Sequence, residues 1–286
     1  MVRVLKIIIL ILKILLGIVF LLLTVSFIAD AGFGLKVKKE VRELHAAVEN
    51  RQETINRKDL AGLPVCVQRW LENSGAIGKE KIQTVHLKQQ GLLRTKEDQP
   101  WMTTTAEEYF TVEKPGFIWR ARIKAAPFLY IAGRDKYFEG KGKMLIKLLS
   151  LVTVVDAAGK ELDQGALLRY LAETIWFPTA ALSDYIQWEE IDAHSAKAVM
   201  SYKGVTASGV FVFNEDYEAT SFSGQRYREK NGRYRLETWS PRVWDYKDFN
   251  GFKLPAKAEV IWKLKSGDFK WYQLEISAVE FNRPLR

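Results

Sequence analysis

The sequence predicts a mainly β, α+β fold: an N-terminal transmembrane helix and stalk, then a large curved antiparallel sheet of about eleven strands, an open or half barrel, wrapped on one or two helices. Three observations lead there. After residue 81 the apolar residues recur every second position, as in 117–124, where Phe117, Trp119, Ala121 and Ile123 alternate with Arg120, Arg122 and Lys124. Glycine, proline and asparagine turn signals separate such runs. One helix-patterned segment, 163–177, interrupts the series and offers itself as the element the sheet encloses.

The chain has 286 residues, and residues 7–29 form an apolar run with Lys13 as its only charge. About 23 residues match the roughly 20 that cross a hydrocarbon core of ~30 Å. Lys13 snorkels toward the N-terminal interface beside Arg3 and Lys6. The run is read as an uncleaved single-pass anchor, since it exceeds the ~7–15 apolar residues of a signal peptide. A cleaved signal stays as the alternative because Ala29-Asp30-Ala31 has cleavage-like small residues. Positive charges flank both ends, Arg3, Lys6 and Lys13 against Lys36, Lys38, Lys39 and Arg42, so the charge rule nearly ties. The N-terminal position favours a short cytoplasmic tail. The expected location is the cytoplasmic (inner) membrane, with the C-terminal domain outside the cytoplasm.

Domain boundaries follow: 1–35 anchor and tail, 36–62 stalk helix, 63–286 one β-rich ectodomain. The stalk has Val41, Leu44, Val48 and Ile55 near helical spacing. Pro64 opens a short helix whose apolar face is Val67, Trp70 and Leu71 and whose stop is Gly75. Strand runs are expected at 83–94, 102–112, 117–124, 128–138, 144–155, 196–202, 205–213, 219–228, 234–239, 256–264 and 271–281, with Asn231-Gly232 the clearest hairpin turn.

The net charge of +9 and pI near 9.4 fit a partner with negative charge, and the cluster at Lys36, Lys38, Lys39 and Arg42 fits anionic lipid headgroups of the bilayer. No zinc-finger spacing, RNP-like motif or basic recognition helix accompanies the charge, so no nucleic acid is expected. A lone cysteine, Cys66, excludes an intrachain disulfide framework and reads as a small buried hydrophobe. His45, His86 and His194 are scattered in the sequence and suggest no metal cluster. Gly-x-Ser-x-Gly, His-Glu-x-x-His, Walker and dinucleotide fingerprints are absent, so neither a catalytic residue, a metal nor a cofactor is assigned.

The helical segment begins with Asp163 as expected N-cap and stops before Pro178. Arg169, Glu173 and Trp176 fall at i, i+4 and i+7, on one stripe. A solvated ion pair beside a core tryptophan is the bland reading, but Arg four residues before Glu is the weaker order on an exposed helix. Arg169 through Glu173, Trp176 and 178–180 resemble the Arg-Tyr-Leu-Ala-Glu-x-x-Trp-x-Pro-Thr-Ala pattern of a bacterial family of unknown function. The likeness extends through Trp188, Phe211, Phe213 and Arg226 to Pro255, Trp262 and Gly267 and implies no established activity. The architecture also looks like the lipoprotein carriers LolA and LppX, whose curved sheet encloses helices and an acyl-binding cavity.

Trp119, Trp239, Trp262, Tyr227 and Tyr272 on strands, with Trp176 on the helix, exceed what two short helices cover. The groove candidates are Arg169, Tyr170, Glu173, Trp176, Arg226, Trp239 and Trp262, where guanidinium groups, Arg228 among them, meet an anionic head and rings meet hydrocarbon. The leading expectation is a membrane-tethered, non-catalytic module that binds a lipid, an acylated molecule or another amphiphile. Two alternatives stay open: an envelope hydrolase using Glu173 with Arg169, its second carboxylate from Glu237 or Glu259, and a scaffold for a protein partner of unknown identity.

Overall fold

The computed structural model describes residues 2–48 and 53–284. A helix, α1, runs unbroken from Val2–Ala46, and a second, α2, covers Val65–Asn73. Six strands follow: β1 Thr84–Leu93, β2 Met102–Thr111, β3 Gly116–Ala126, β4 Leu129–Phe138, β5 Lys141–Leu148 and β6 Val152–Ala158. Helix α3, Lys160–Glu173, leads through short 3-10 turns at Thr174–Trp176 and Pro178–Leu182 to seven more strands. These are β7 Ile186–Asp192, β8 Ser195–Tyr202, β9 Val205–Phe213, β10 Ala219–Lys230, β11 Arg233–Phe249, β12 Phe252–Leu264 and β13 Gly267–Phe281.

All thirteen strands join one antiparallel sheet in the order β6-β5-β4-β3-β2-β1-β13-β12-β11-β10-β9-β8-β7. Two meanders therefore meet at the β1–β13 pair, and β6 and β7 are left as edges. Helix α3, which connects those two edge strands in sequence, packs against β5 on one side and β9 and β10 on the other. A right-twisted sheet of this width curls, and the half barrel is filled from inside by the helix.

Turn chemistry explains most of the register. Glu139-Gly140, Lys203-Gly204, Asn231-Gly232 and Asn250-Gly251 each have positive φ at both positions, the geometry of a two-residue type I′ hairpin. The strand count exceeds the expected eleven for two reasons. Strands β5 and β6 read as one run because their turn uses Leu149 and Ser150 at φ 52 and 58 in place of glycine or proline. Strand β7 has no alternating signal in the sequence because only Ile186 is buried along this edge strand. Strand β11 runs ten residues beyond 239, through Pro241. That proline falls in the ladder gap between the Gly224–Trp239 and Ser221–Arg242 pairs, where no amide is required.

Helix α1 differs from the expected stalk over residues 36–46. It lies against the outer face of the sheet, with Phe33, Val37, Val41 and Leu44 packed on Ile118, Tyr130, Ala132 and Leu145. Their 3–4 residue spacing makes a narrow apolar stripe, and each side chain contributes roughly 1.5–3 kcal/mol on burial. Gly34 permits close approach, since a Cβ there would stand 3.3 Å from the Arg120 guanidinium. Glu40 adds ion pairs at 3.3 Å to Arg134 and 3.9 Å to Lys136. Val48, expected on the stalk, lies past the helix end at Ala46, its amide donating to His45 O at 3.1 Å, and residues 49–52 lie outside the described region. Among the described residues, α1 is the one helix long and apolar enough to cross a membrane.

The interior core combines α2, α3 and the concave face. Trp70 stacks on Phe211 at 6.1 Å and meets Trp188 edge-on at 6.4 Å, while Cys66 is buried beside it on α2. Phe110, Phe117, Tyr137, Tyr170 and Phe177 fill the other side and are fully buried. Asp163 does not cap α3, which starts three residues earlier after Gly159. Its carboxylate instead accepts the Gly142 amide at 2.8 Å and pairs with Lys141 at 3.0 Å, fixing the start of β5 to the helix.

Candidate functional site

Between α3 and the concave sheet is a partly open cavity of about 730 Å³, within the usual range for small-molecule sites. Its wall is chiefly apolar and aromatic, with Trp119, Trp176, Trp239, Trp262, Trp271 and Tyr272 among the lining side chains. Alternation creates this wall: in β12 the inward residues are Ala258, Val260 and Trp262, and in β11 Trp239, Pro241 and Val243.

At the cavity floor, three carboxylates converge on Arg169. Its Nη2 donates to Glu108 Oε1 at 2.6 Å, Nη1 to Asp135 Oδ2 at 3.0 Å and Nε to Glu173 Oε1 at 2.8 Å. The guanidinium also lies over the rings of Phe117 at 4.9 Å and Trp119 at 5.3 Å. Glu108, fully buried, takes a further hydrogen bond from Gln89 Nε2 at 2.9 Å. Gln89 Oε1 in turn accepts from Trp119 Nε1 at 3.2 Å and Tyr272 OH at 3.3 Å. Such a network orients its members more firmly than any single bond.

Burial disfavours charge here, and the neighbours oppose it unequally. It raises the Glu108 carboxyl well above the ordinary carboxylate range despite the attraction of Arg169. Glu173 is raised for the same reason and against the same partner. Burial also acts against the Arg169 charge, but the carboxylates hold its pKa above the usual arginine value. At Arg226 the balance is reversed: burial first, and then repulsion from Arg169, outweigh the attraction of Asp135 and Glu173 and push it down to about 10. Glu173 Oε2 is buried with no hydrogen-bond partner, leaving one polar atom of the cluster uncommitted.

A second basic group stands on β10. Arg226 donates from Nε to Gly165 O at 3.1 Å and lies over Trp239 at 4.9 Å and Trp262 at 6.0 Å. Arg228 covers Trp262 at 5.8 Å and Phe269 at 5.5 Å. Gly165 on α3 makes room for this approach, since a Cβ would meet Arg226 Nε at 3.3 Å.

The structure thus brings Arg169, Glu173, Trp176, Arg226, Trp239 and Trp262 to one cavity. Trp176 is held by a 3.1 Å bond to Pro255 O and sits on a 3-10 turn beyond the end of α3. Tyr170 is elsewhere: its hydroxyl bonds Thr111 O at 2.9 Å and Tyr185 OH at 3.2 Å in the core, and it does not line the cavity. The carboxylates beside Glu173 are Glu108 and Asp135, not Glu237 or Glu259. Glu259 pairs with Lys270 at 2.9 Å and Arg242 at 3.8 Å, and neither it nor Glu237 lines the cavity. Gln89, Glu108 and Asp135 carry a signal in the sequence that local spacing does not connect to Arg169. Each is a polar residue in the inward phase of its strand, Glu108 between Ala106 and Phe110, Asp135 between Gly133 and Tyr137. Two of the scattered histidines also meet: His45 and His86 both contact the Tyr109 ring, at 6.4 and 4.3 Å. Among the described residues no group of three or more His, Cys, Asp or Glu side chains is placed to hold a metal ion.

Fold and site together define a half-barrel protein that encloses a helix and an apolar cavity around a buried arginine–carboxylate cluster. The chain belongs to the DUF6920 family, a family of unknown function whose model matches residues 61–281. No curated protein matches it by sequence. Among solved structures it is similar to a putative outer membrane lipoprotein-sorting protein domain from Vibrio parahaemolyticus, at 12% identity and TM-score 0.41, covering 71% of this chain and 87% of that one. A LolA superfamily protein from Nitrosomonas europaea gives 12% identity and TM-score 0.41 over 78% and 96% of the two chains. A DUF1329 family protein from Desulfovibrio piger gives 10% and 0.41 over 77% and 92%.

Proposed function

We propose that this protein is a membrane-tethered, non-catalytic module that binds a lipid or other amphiphile in the cavity between α3 and the sheet. The observation that carries this reading is the cavity itself: about 730 Å³, walled by indole rings and aliphatic side chains, with the Arg226 guanidinium at its side lying over Trp239 and Trp262. Apolar wall suits hydrocarbon, and a desolvated guanidinium suits an acidic or phosphorylated head. Arg169 serves the floor, where its three carboxylates already satisfy it.

Residues 7–29 tether the domain to the cytoplasmic membrane as a single crossing, with the domain outside the cytoplasm. Contacts on both sides of the cleavage-like Ala29-Asp30-Ala31 support an uncleaved helix. Ser26 bonds Leu149 O at 3.0 Å, Asp30 pairs with Arg122 at 2.9 Å, and Phe33 is buried on the sheet. Cleavage at that point would discard the first two.

The test is native mass spectrometry of the full chain released from detergent, beside an Ala258→Trp variant whose indole projects into the cavity and obstructs it. A bound lipid-sized mass on the parent and its loss from the variant is the expected result. Equal adducts on both, or none on either, contradicts the reading.

A further inference from the structure

We propose that the hairpin tips at the α1 end of strands β1–β6 enter the same bilayer that α1 crosses, so that the cavity takes its amphiphile directly from an anionic membrane leaflet. This rests on reading 7–29 as an uncleaved anchor and the cavity as an amphiphile site. The direction of α1 is fixed by contacts along its docked half. Ser26 meets Tyr130 OH at 3.2 Å and Leu149 O at 3.0 Å, and Asp30 reaches Ser150 at 2.8 Å, all near the β3–β4 and β5–β6 turns. Leu44 reaches Gly116, and His45 reaches Tyr109, at the opposite end of the same strands. Residues before Ser26 therefore extend past the β3–β4 and β5–β6 hairpins.

The tips at that end are apolar and open. Phe128, at the β3–β4 turn, is 84% exposed, and Val152 and Val154 on β6 are 61% and 62% exposed. Phe128 and Leu129 share a groove with Leu23 and Phe27 of α1, so the hairpin lies level with the last turns of the apolar run. At 1.5 Å per residue, residues 23–29 span about 9 Å, close to the ~5–10 Å that interfacial apolar groups penetrate. Lys124 lines the same groove and supplies charge for anionic headgroups, beside Arg122, which is paired with Asp30. An exposed phenylalanine on a two-residue tip has no packing role in the chain, and the bilayer carried by α1 is the apolar phase at its level.

The cavity occupies this same end. Leu93, Met102, Ile123, Ile131, Ile146 and Val154 line it, each within a few residues of its strand's α1-side terminus. The other ends of those strands are closed by Phe110, Phe117 and Tyr137. Thr95 and Val154 are exposed lining residues, so the wall is incomplete on the side that meets the leaflet.

The experiment uses the full chain in vesicles of brominated anionic phospholipid, labelled with an environment-sensitive dye at Phe20→Cys, Phe128→Cys or Glu215→Cys. Buried Cys66 stays unlabelled. Bromine quenching at positions 20 and 128 and its absence at 215 is expected. Quenching at 20 without quenching at 128 overturns the inference and leaves the anchor standing, whereas no quenching at 20 removes both. A second arm uses the Phe128→Asp, Val152→Asp double variant. Transfer of a fluorescent acyl lipid out of vesicles should slow on the order of tenfold, as lost apolar burial predicts, while affinity for a short-chain fluorescent amphiphile below its micelle concentration stays unchanged. Unchanged transfer overturns the inference, as does loss of both readouts together; failure of the unmodified chain to bind the short-chain amphiphile overturns the cavity reading itself.

Discussion

Arg169 on α3 and Glu108 on β2 lie 2.6 Å apart, and Glu108 is fully buried. This pair ties the enclosed helix to a strand one place from the seam where the two meanders meet. Asp135 on β4 and Glu173 on the helix itself complete the ring around the guanidinium. The residues that shape the cavity floor are therefore also those that hold the sheet on its helix.

Removing the cation should do the most harm. Arg169→Met leaves three carboxylates without their partner and is expected to cost about 3–5 kcal/mol, as breaking a buried ion pair does. Glu173→Gln keeps Arg169 engaged by Glu108 and Asp135 and should cost less, about 1 kcal/mol. Denaturant midpoints check both. Near-parental midpoints for Arg169→Met would mean that the cluster is solvated.

Stability should depend on Glu108 in a defined direction. A carboxyl whose folded pKa is raised binds more protons folded than unfolded, so its penalty is full above the folded pKa and disappears below the unfolded value of about 4.3. Raised values at Glu108 and Glu173 therefore make stability increase as pH falls from the raised folded range toward that value. In Glu108→Gln the Glu108 share of this slope should vanish, leaving only the share from Glu173. Melting curves across that window, parent against variant, measure it, and parallel curves would contradict the assignment.

The outer-face docking of α1 gives a third expectation. Phe33→Ala should cost on the order of 3 kcal/mol if the ring is packed as it stands, 6% exposed, against the sheet. A free stalk would lose nothing. Limited proteolysis of the full chain in detergent provides an independent reading, since Val37→Asp should expose α1 to cleavage between 33 and 46.

The sheet, its order of hairpins and the enclosed helix were legible because alternation and X-Gly turns are local signals. The β5–β6 turn was not, because Leu149 and Ser150 adopt left-handed backbone that glycine ordinarily announces. The cavity residues divide the same way. Arg169, Glu173 and Trp176 share a helix face and could be grouped from spacing, whereas joining Glu108 and Asp135 to them requires strand register, which no local pattern supplies. Tyr170 was grouped with the cavity by sequence neighbourhood, but one residue along a helix turns the side chain by about 100°, here into the core. The docking of α1 was invisible because its stripe of Phe33, Val37, Val41 and Leu44 follows directly on the apolar run that hides its start.

The most direct measurement of the central claim is tryptophan quenching by a brominated acyl amphiphile, added to the full chain in nanodiscs beside its unbrominated analogue. Trp119, Trp176, Trp239, Trp262 and Trp271 line the cavity, so a bound brominated chain lies against them. Saturable quenching that ends near one equivalent, and that Ala258→Trp abolishes, is the expected result. Quenching that never saturates, or that persists unchanged in Ala258→Trp, would contradict a ligand in this cavity.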